Sequence, residues 1–432
     1  MLEHKSEDGL HFSIKNKQAY FVLLSTYTTF ATNYFQMKQY DFDEFIDRKG
    51  TGALKADALK ERYGKEDLIP LWVADMDFRC GDFIIDAIKK RANEGIFGYT
   101  IPSDRYYSSI INWLKHSHQW EIKKEWLSYI PGIVKGIAFV VMHFTRPNDK
   151  IIIQPPVYHP FKIVPSMHHR SVVCNPLIEK DGQYKMDLEG LKKIIDSNCR
   201  LLILCNPHNP IGITWDKDTL EELAEICYNH NILVISDEIH ADMALFGNKH
   251  IPFASVSEKA SENSISFMSP SKTFNTAGIV TSYSIIPNDK IRRSFHNFLH
   301  ASELNEGSIF SYLTTEVAYT KGTEWKYQML NYIENNIRFV DNYLKENIPQ
   351  IKVVIPKASF LLWLDCRELK LNQEDLNKLF VEKAGLALND GEMFGKEGIG
   401  FMRMNIGCPQ STLEKALENL KLCFNLVTFV KN

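Results

Sequence analysis

The 432-residue sequence predicts an α/β fold around a largely parallel sheet. Two features of the chain predict it. From about residue 125 onward, short apolar runs recur between amphipathic, helix-like stretches, the rhythm of βαβ units. The runs are also continuously apolar rather than alternating, as strands buried on both faces are.

Residues 1–36 stand apart from this pattern. Residues 19–31 (AYFVLLSTYTTFA) follow Lys15 and Lys17 in the manner of a signal sequence. Ser and Thr interrupt the apolar stretch, however, and Glu3, Glu7 and Asp8 precede it, which argues against a leader. The segment reads as a poorly ordered extension, or as sequence upstream of a start at Met37. The candidate strands then follow in order: Lys150–Gln154 (KIIIQ), Leu201–Cys205 (LLILC), Ile232–Asp237 (ILVISD), Ile265–Met268 (ISFM) and Ile279–Ile285. Lys217–His230 is one of the amphipathic helices between them. After about residue 310 the rhythm changes. Glu324–Glu346 reads as one long helix, Pro356–Asp365 as a strand, Gln373 as the start of a helix, and Phe401–Ile406 as an apolar-polar strand. These form a second, smaller α/β unit.

Composition narrows the function classes. A formal net charge of -3 and the absence of a basic block leave no electrostatic footprint for nucleic acid. No apolar run approaches the ~20 residues of a membrane span. The eight cysteines (80, 174, 199, 205, 227, 366, 408 and 423) form no C-x-x-C pair, so neither a zinc cluster nor a thioredoxin-like site is read. Cys174, Cys205 and Cys227 lie in apolar runs and are expected to pack as small hydrophobes. Free thiols in a chain of this size point to a reducing, cytoplasmic setting. His116, His118, His143, His159, His168 and His169 have no metal-ligand spacing, and no metal site is expected. The expected partners are small molecules and copies of the chain itself.

In parallel α/β sheets ligands sit beyond the carboxyl ends of the strands. Four segments there are unusual together. Cys205 runs into Asn206-Pro-His-Asn-Pro-Ile-Gly212, Ile235 into Ser236-Asp-Glu-Ile-His240, and Met268 into Ser269-Pro-Ser-Lys-Thr273; Phe401-Met-Arg-Met-Asn405 sets one arginine in an apolar strand. Singly each is ordinary: a turn, a helix cap, a solvated lysine, an arginine paired with a structural carboxylate. Jointly they supply what pyridoxal-phosphate (PLP) chemistry requires. That is a lysine amine, an acid for the pyridine nitrogen, hydroxyl and helix-terminus donors for a phosphate, and an arginine fork for a substrate carboxylate.

Six ordered motifs extend the match: Trp72-Val-Ala-Asp-Met-Asp-Phe78, Phe97-Gly-Tyr-Thr100, Asn206-Pro-His-Asn-Pro210, Ser236-Asp-Glu-Ile-His-Ala-Asp242, Ser269-Pro-Ser-Lys-Thr-Phe-Asn275 and Gly400-Phe-Met-Arg-Met-Asn-Ile-Gly-Cys-Pro409. Over Tyr40–Cys423 the chain resembles the MalY/PatB-type cystathionine β-lyases, within the fold-type I PLP enzymes of the aminotransferase class I/II superfamily. The resemblance implies a large domain (84–320) with a mostly parallel seven-stranded sheet. It also implies a smaller α/β domain (37–83 with 321–432) and a homodimer with the active site at the interface. It makes Lys272 the Schiff-base lysine and Cα base, Asp237 the partner of the pyridine nitrogen, and Asn209 the partner of the ring hydroxyl. Tyr158 becomes the ring-stacking aromatic, and His240 takes a position where many aminotransferases carry Tyr. Ser269, Ser271 and the amides of Val134 and Lys135 become phosphate ligands, and Tyr99 reaches the phosphate of the neighbouring subunit. Arg403 becomes the carboxylate clamp, with Ala74 beside the substrate.

The chain departs from that pattern in three places. Ala56 precedes Asp57 where the family often has Trp, Ile211 replaces the usual Thr, and Ala277–Ser282 has no basic residue after the lysine. The loop Gly391–Gly395 reads as lying near the substrate rather than as a phosphate cradle. The implied reaction is α,β-elimination of L-cystathionine or cysteine S-conjugates to thiol, pyruvate and ammonia. An amino-acid aminotransferase and a non-catalytic PLP-binding regulator are the alternatives.

Overall fold

The computed structural model describes residues 38–430; the expectation for residues 1–36 lies outside them. Contacts divide the chain into two units, Met1–Asp41 and Phe42–Asn432. Of the first, residues 38–41 are described and form no helix or strand.

The centre of the second unit is a seven-stranded sheet. In chain order the strands are β1 (Leu127–Ile130), β2 (Lys150–Ile153), β3 (Ser171–Cys174), β4 (Cys199–Cys205), β5 (Leu233–Asp237), β6 (Ser264–Met268) and β7 (Ser282–Ile285). Across the sheet they run β1-β7-β6-β5-β4-β2-β3. β3, β2, β4, β5 and β6 are parallel, and β7 lies antiparallel between β6 and β1. The expected α/β fold with a mostly parallel seven-stranded sheet is the one observed. β5 and β6 are buried at every residue, as the continuous apolar runs require. Ile151, Leu201, Ile203, Ile235 and Ile265 pack one face against helix α1 (Ile133–Phe144); Ile152, Leu202, Leu204 and Val234 pack the other against α2 (Lys217–Asn229). α2 starts where Asp216 accepts from the amide of Thr219, a side-chain N-cap.

A second sheet of four antiparallel strands lies beyond it in sequence. These are β8 (Lys352–Val354), β9 (Leu361–Asp365), β10 (Asn389–Asp390) and β11 (Phe401–Asn405), in the order β8-β9-β11-β10. The 25-residue helix α3 (Thr323–Asn347) precedes it. Among the described residues no helix is long and apolar enough to cross a membrane.

Three local expectations change. The segment Ile279–Ile285 is a strand only from Ser282: residues 277–279 form a single 3₁₀ turn, and Val280 takes φ 60, which ends any extended run. Pro356–Asp365 is a strand only from Leu361, because the amides of Lys357 and Ala358 are both spent on the carbonyl of Gly212 and Ser359 adopts φ 79. Cys174 is exposed rather than packed, since β3 is the outermost strand of the sheet; Cys205 and Cys227 are buried as expected.

Candidate active site

The pairing register places the site. Cys205 of β4 lies opposite Asp237 of β5, and Asp237 opposite Phe267 of β6, so three strands end nearly level. The turns that leave them bring Asn209, Asp237, His240, Ser269, Ser271 and Lys272 to one edge of the sheet, as βα topology demands. Asp237 and His240 are 5% and 3% exposed. Burial pushes the Asp237 carboxyl up to about 7, against the opposing pull of the Ile239 amide and the Lys272 ammonium. His240 is driven down to about 3, by burial first and then by the charges of Lys272 and Arg403, so its imidazole is neutral. Its Nδ1 is buried without a hydrogen-bond partner.

The turn between β1 and α1 forms the anion-binding end. Gly132 has φ 112, a backbone angle glycine adopts readily. The amide of Gly136 is bonded back to the Gly132 carbonyl at 2.9 Å. The amides of Val134 and Lys135 lie within the first turn, where the helix itself offers no acceptor. Gly136 lets α1 sit close on the sheet: a Cβ there would come within 2.9 Å of Ile130 and Phe267. Nearby, the buried Ser269 hydroxyl faces Thr281 Oγ1 at 3.3 Å and accepts from the Ser271 amide at 3.1 Å.

Lys272 keeps some accessible surface, yet protein atoms surround its amine, and burial lowers it to about 8. Its Nζ donates to the Ala74 carbonyl at 2.5 Å. The segment around Ala74 is held from several sides. Asn275 Oδ1 accepts from the Met76 amide, and its Nδ2 donates to the carbonyls of Met76 and Phe78. Asn405 Nδ2 donates to the carbonyls of Val73 and Asp75. Arg48 bridges Asp75 and Asp77 at 2.7 and 2.9 Å, and the buried Lys55 pairs with Asp77 at 2.7 Å.

Arg403, 4% exposed, enters from β11. Its Nη1 donates to Asn209 Oδ1 at 3.0 Å; its Nη2 donates to Asn389 Oδ1 and to the Trp72 carbonyl. These acceptors are neutral. Among the described residues no carboxylate pairs with it within 4.0 Å, and its Nε is buried without a partner. The Phe394 ring lies 4.9 Å from the guanidinium centre, which puts the Gly391–Gly395 loop against this group. Burial lowers Arg403 to about 10. A buried cation with no counter-ion is a receptor for an anion.

Comparison with known proteins agrees with this geometry. Residues 66–420 match the family Aminotransferase class I and II. The chain is 40% identical to cystathionine beta-lyase PatB of Bacillus subtilis, over 88% of this chain and 99% of that one. It is 30% identical to protein MalY of Escherichia coli, over 88% and 98%. The PLP-bound C-S lyase of Staphylococcus hominis superposes with a TM-score of 0.83 at 33% identity, covering 89% of this chain and 98% of that one.

The chain belongs to the aminotransferase class I and II family, in the PatB and MalY group.

For this family member, the residues expected from sequence fall into two sets. Lys272, Asp237, Asn209, His240, Ser269, Ser271 and Arg403 converge as described. The Tyr158 amide donates to the Asn209 carbonyl, which brings Tyr158 to the same turn. Tyr99 is fully exposed, in a stretch without regular structure. Asn275, Asn389 and Asn405 were not anticipated. Two of them sit inside the quoted motifs, but an asparagine in a loop or strand carries no sequence signal for which distant backbone it will hold.

Proposed function

We propose that the protein is a PLP-dependent C–S β-lyase that converts L-cystathionine or cysteine S-conjugates to a thiol, pyruvate and ammonia. The observation that carries the reading is Arg403, a buried guanidinium without a carboxylate partner, sharing one site with an amine and a carboxyl of shifted proton affinity. The names of PatB and of the Staphylococcus hominis relative support a lyase over an aminotransferase.

The residues fit PLP as cofactor. Lys272 supplies an amine for its carbonyl. Asp237 supplies a buried acid for its pyridine nitrogen, and Asn209 an amide for the ring hydroxyl. Ser269, Ser271 and the free amides of Val134 and Lys135 suit a phosphate, and Tyr158 suits the ring face. The orphaned His240 Nδ1 marks a buried polar position that the protein alone leaves unsatisfied. When bound, PLP supplies an electron sink for charge developing at the substrate Cα.

The chain's own groups then divide the work. Arg403 receives the substrate carboxylate, with its plane already fixed by Asn209 and Asn389, and so orients the Cα–H bond. Burial lowers the Lys272 amine to about 8, so it gives up its proton far more readily than an ordinary lysine, and in its neutral form it takes the Cα proton. Asp237 would keep a proton at the ring nitrogen of the bound cofactor. Over the whole reaction one water is consumed, the Cβ–S bond breaks, the sulfur leaves as thiol, and nitrogen leaves as ammonia. The exposed apolar stretch Ile96, Phe97, Tyr99 and Ile101 supports a homodimer in which Tyr99 reaches the partner's phosphate site. The eight unpaired cysteines support a cytoplasmic location.

Purified holoenzyme with L-cystathionine should release pyruvate and thiol in equal amounts without any keto acid. Turnover that strictly requires a keto-acid acceptor would replace the lyase with an aminotransferase.

A further inference from the structure

On the far side of the strand ends lie four buried titratable groups that the reaction does not use. Consecutive strand residues point to opposite faces, so the Glu238 side chain leaves the sheet away from Asp237. The Glu238 carboxylate is wholly buried and takes three bonds: from His250 Nε2 at 2.8 Å, the Phe253 amide at 3.1 Å and the Ser266 hydroxyl at 3.1 Å. The His250 ring stands edge-on to the His118 ring, centroids 5.3 Å apart. His118 Nε2 bonds Asp242 Oδ1 at 2.9 Å, and the same oxygen accepts from Trp113 Nε1 at 2.8 Å. Asp242 Oδ2 accepts a longer bond, 3.4 Å, from Thr273 Oγ1. Lys326, its ammonium 4.5 Å from the Trp113 ring centre, is the cation facing Asp242 from helix α3.

The chain of contacts therefore begins one residue after Asp237 and ends one residue after Lys272. Burying two carboxylates and two imidazoles costs more than an apolar filling would, so stability alone does not account for them. We infer that Glu238–His250 and His118–Asp242 form a single internal brace that positions Asp237 and Lys272 toward the cofactor. These four are positioning residues, acting through their neighbours; the inference rests on the PLP reading of the site and goes beyond it.

The test uses holoenzyme. Three quantities are followed in Glu238→Gln, Asp242→Asn, Thr273→Val and Thr273→Ser: the pH midpoint of the visible cofactor band, the rate of PLP release, and the melting temperature. The brace predicts a midpoint moved by about 0.5 unit or more and release faster on the order of 10-fold, the size of effect that outer partners of metal ligands have. Thr273→Ser, which keeps the hydroxyl, should behave as wild type, while Thr273→Val should follow Asp242→Asn. Thr273→Val is nearly isosteric with the parent and Thr273→Ser removes only one buried methyl, so both remain informative if the charge variants do not fold. Midpoint and release rate unchanged within twofold in Thr273→Val would overturn the brace, even if the melting temperature falls. A wild-type protein with no visible cofactor band would instead sink the PLP reading itself.

Discussion

Arg403 Nη1 donates to Asn209 Oδ1 across 3.0 Å, a bond between residues 194 positions apart that ties β11 of the four-stranded sheet to the turn after β4. The acceptor is a neutral amide oxygen, so the bond orients the guanidinium and leaves its charge uncompensated. Arg403 is thus oriented before substrate arrives, which lowers the ordering cost of binding.

Substitution of Arg403 by Lys keeps the charge and loses the fork. Two charge-assisted bonds to the substrate carboxylate become one, and the contacts with Asn209 and Asn389 cannot both be kept. The expected outcome is a fall in kcat/KM of roughly 100-fold, mostly through KM. Steady-state kinetics with L-cystathionine measure it; a change confined to kcat would assign the carboxylate to another group.

Lys272→Ala should reduce pyruvate release by at least roughly 10³-fold, since both cofactor attachment and Cα proton transfer are lost. Borohydride reduction of the wild type followed by peptide mapping should find the cofactor on the peptide containing Lys272. An adduct on a different lysine would move the catalytic assignment.

Asp237 makes a pH prediction for the cofactor-free protein. Its folded value, about 7, lies above the ordinary 3.8. The protonated form is the one the fold prefers, so the contribution is full below about 4 and is lost as pH rises toward 7. The melting temperature of apo wild type should therefore decline over that window more than that of Asp237→Asn. Parallel curves for the two would show that Asp237 ionises freely in the folded chain.

Much of this site was legible before the structure because its rule is topological. Once LLILC, ILVISD and ISFM were read as parallel strands, Asn209, Asp237 and Lys272 had to emerge at one edge, whatever the details. The register of Cys205, Asp237 and Phe267 is that rule in operation. What could not be read was set by tertiary bonds. Pro356–Phe360 is apolar enough for a strand, yet two of its amides belong to Gly212. Cys174 sits in an apolar run but in the outermost strand, and strand order is not encoded by the run itself. The buried pairs Glu238–His250 and His118–Asp242 join residues 12 and 124 positions apart, with no spacing that signals either.

Asn275 offers the sharpest case of such a hidden role. It has φ 55, a left-handed conformation that asparagine tolerates better than most residues. From there its amide satisfies the Met76 amide at 3.0 Å and the carbonyls of Met76 and Phe78 at 2.8 Å each. Asn275→Ala would leave the Met76 amide and the Phe78 carbonyl without partners, leave the Met76 carbonyl only its 3.5 Å bond from Arg48, and add left-handed strain, a loss of about 3 kcal/mol in chemical denaturation. Asn275→Asp keeps the shape and the backbone conformation but sets a carboxylate oxygen where an amide donated to two carbonyls. It should be at least as destabilising, and worse as pH rises above the carboxylate range. Because Ala74 lies two residues before Met76 and receives the Lys272 amine, both variants should also lower kcat/KM. An Asn275→Asp protein as stable as wild type at pH 8 would show that Asn275 does not hold the Trp72–Phe78 segment in place.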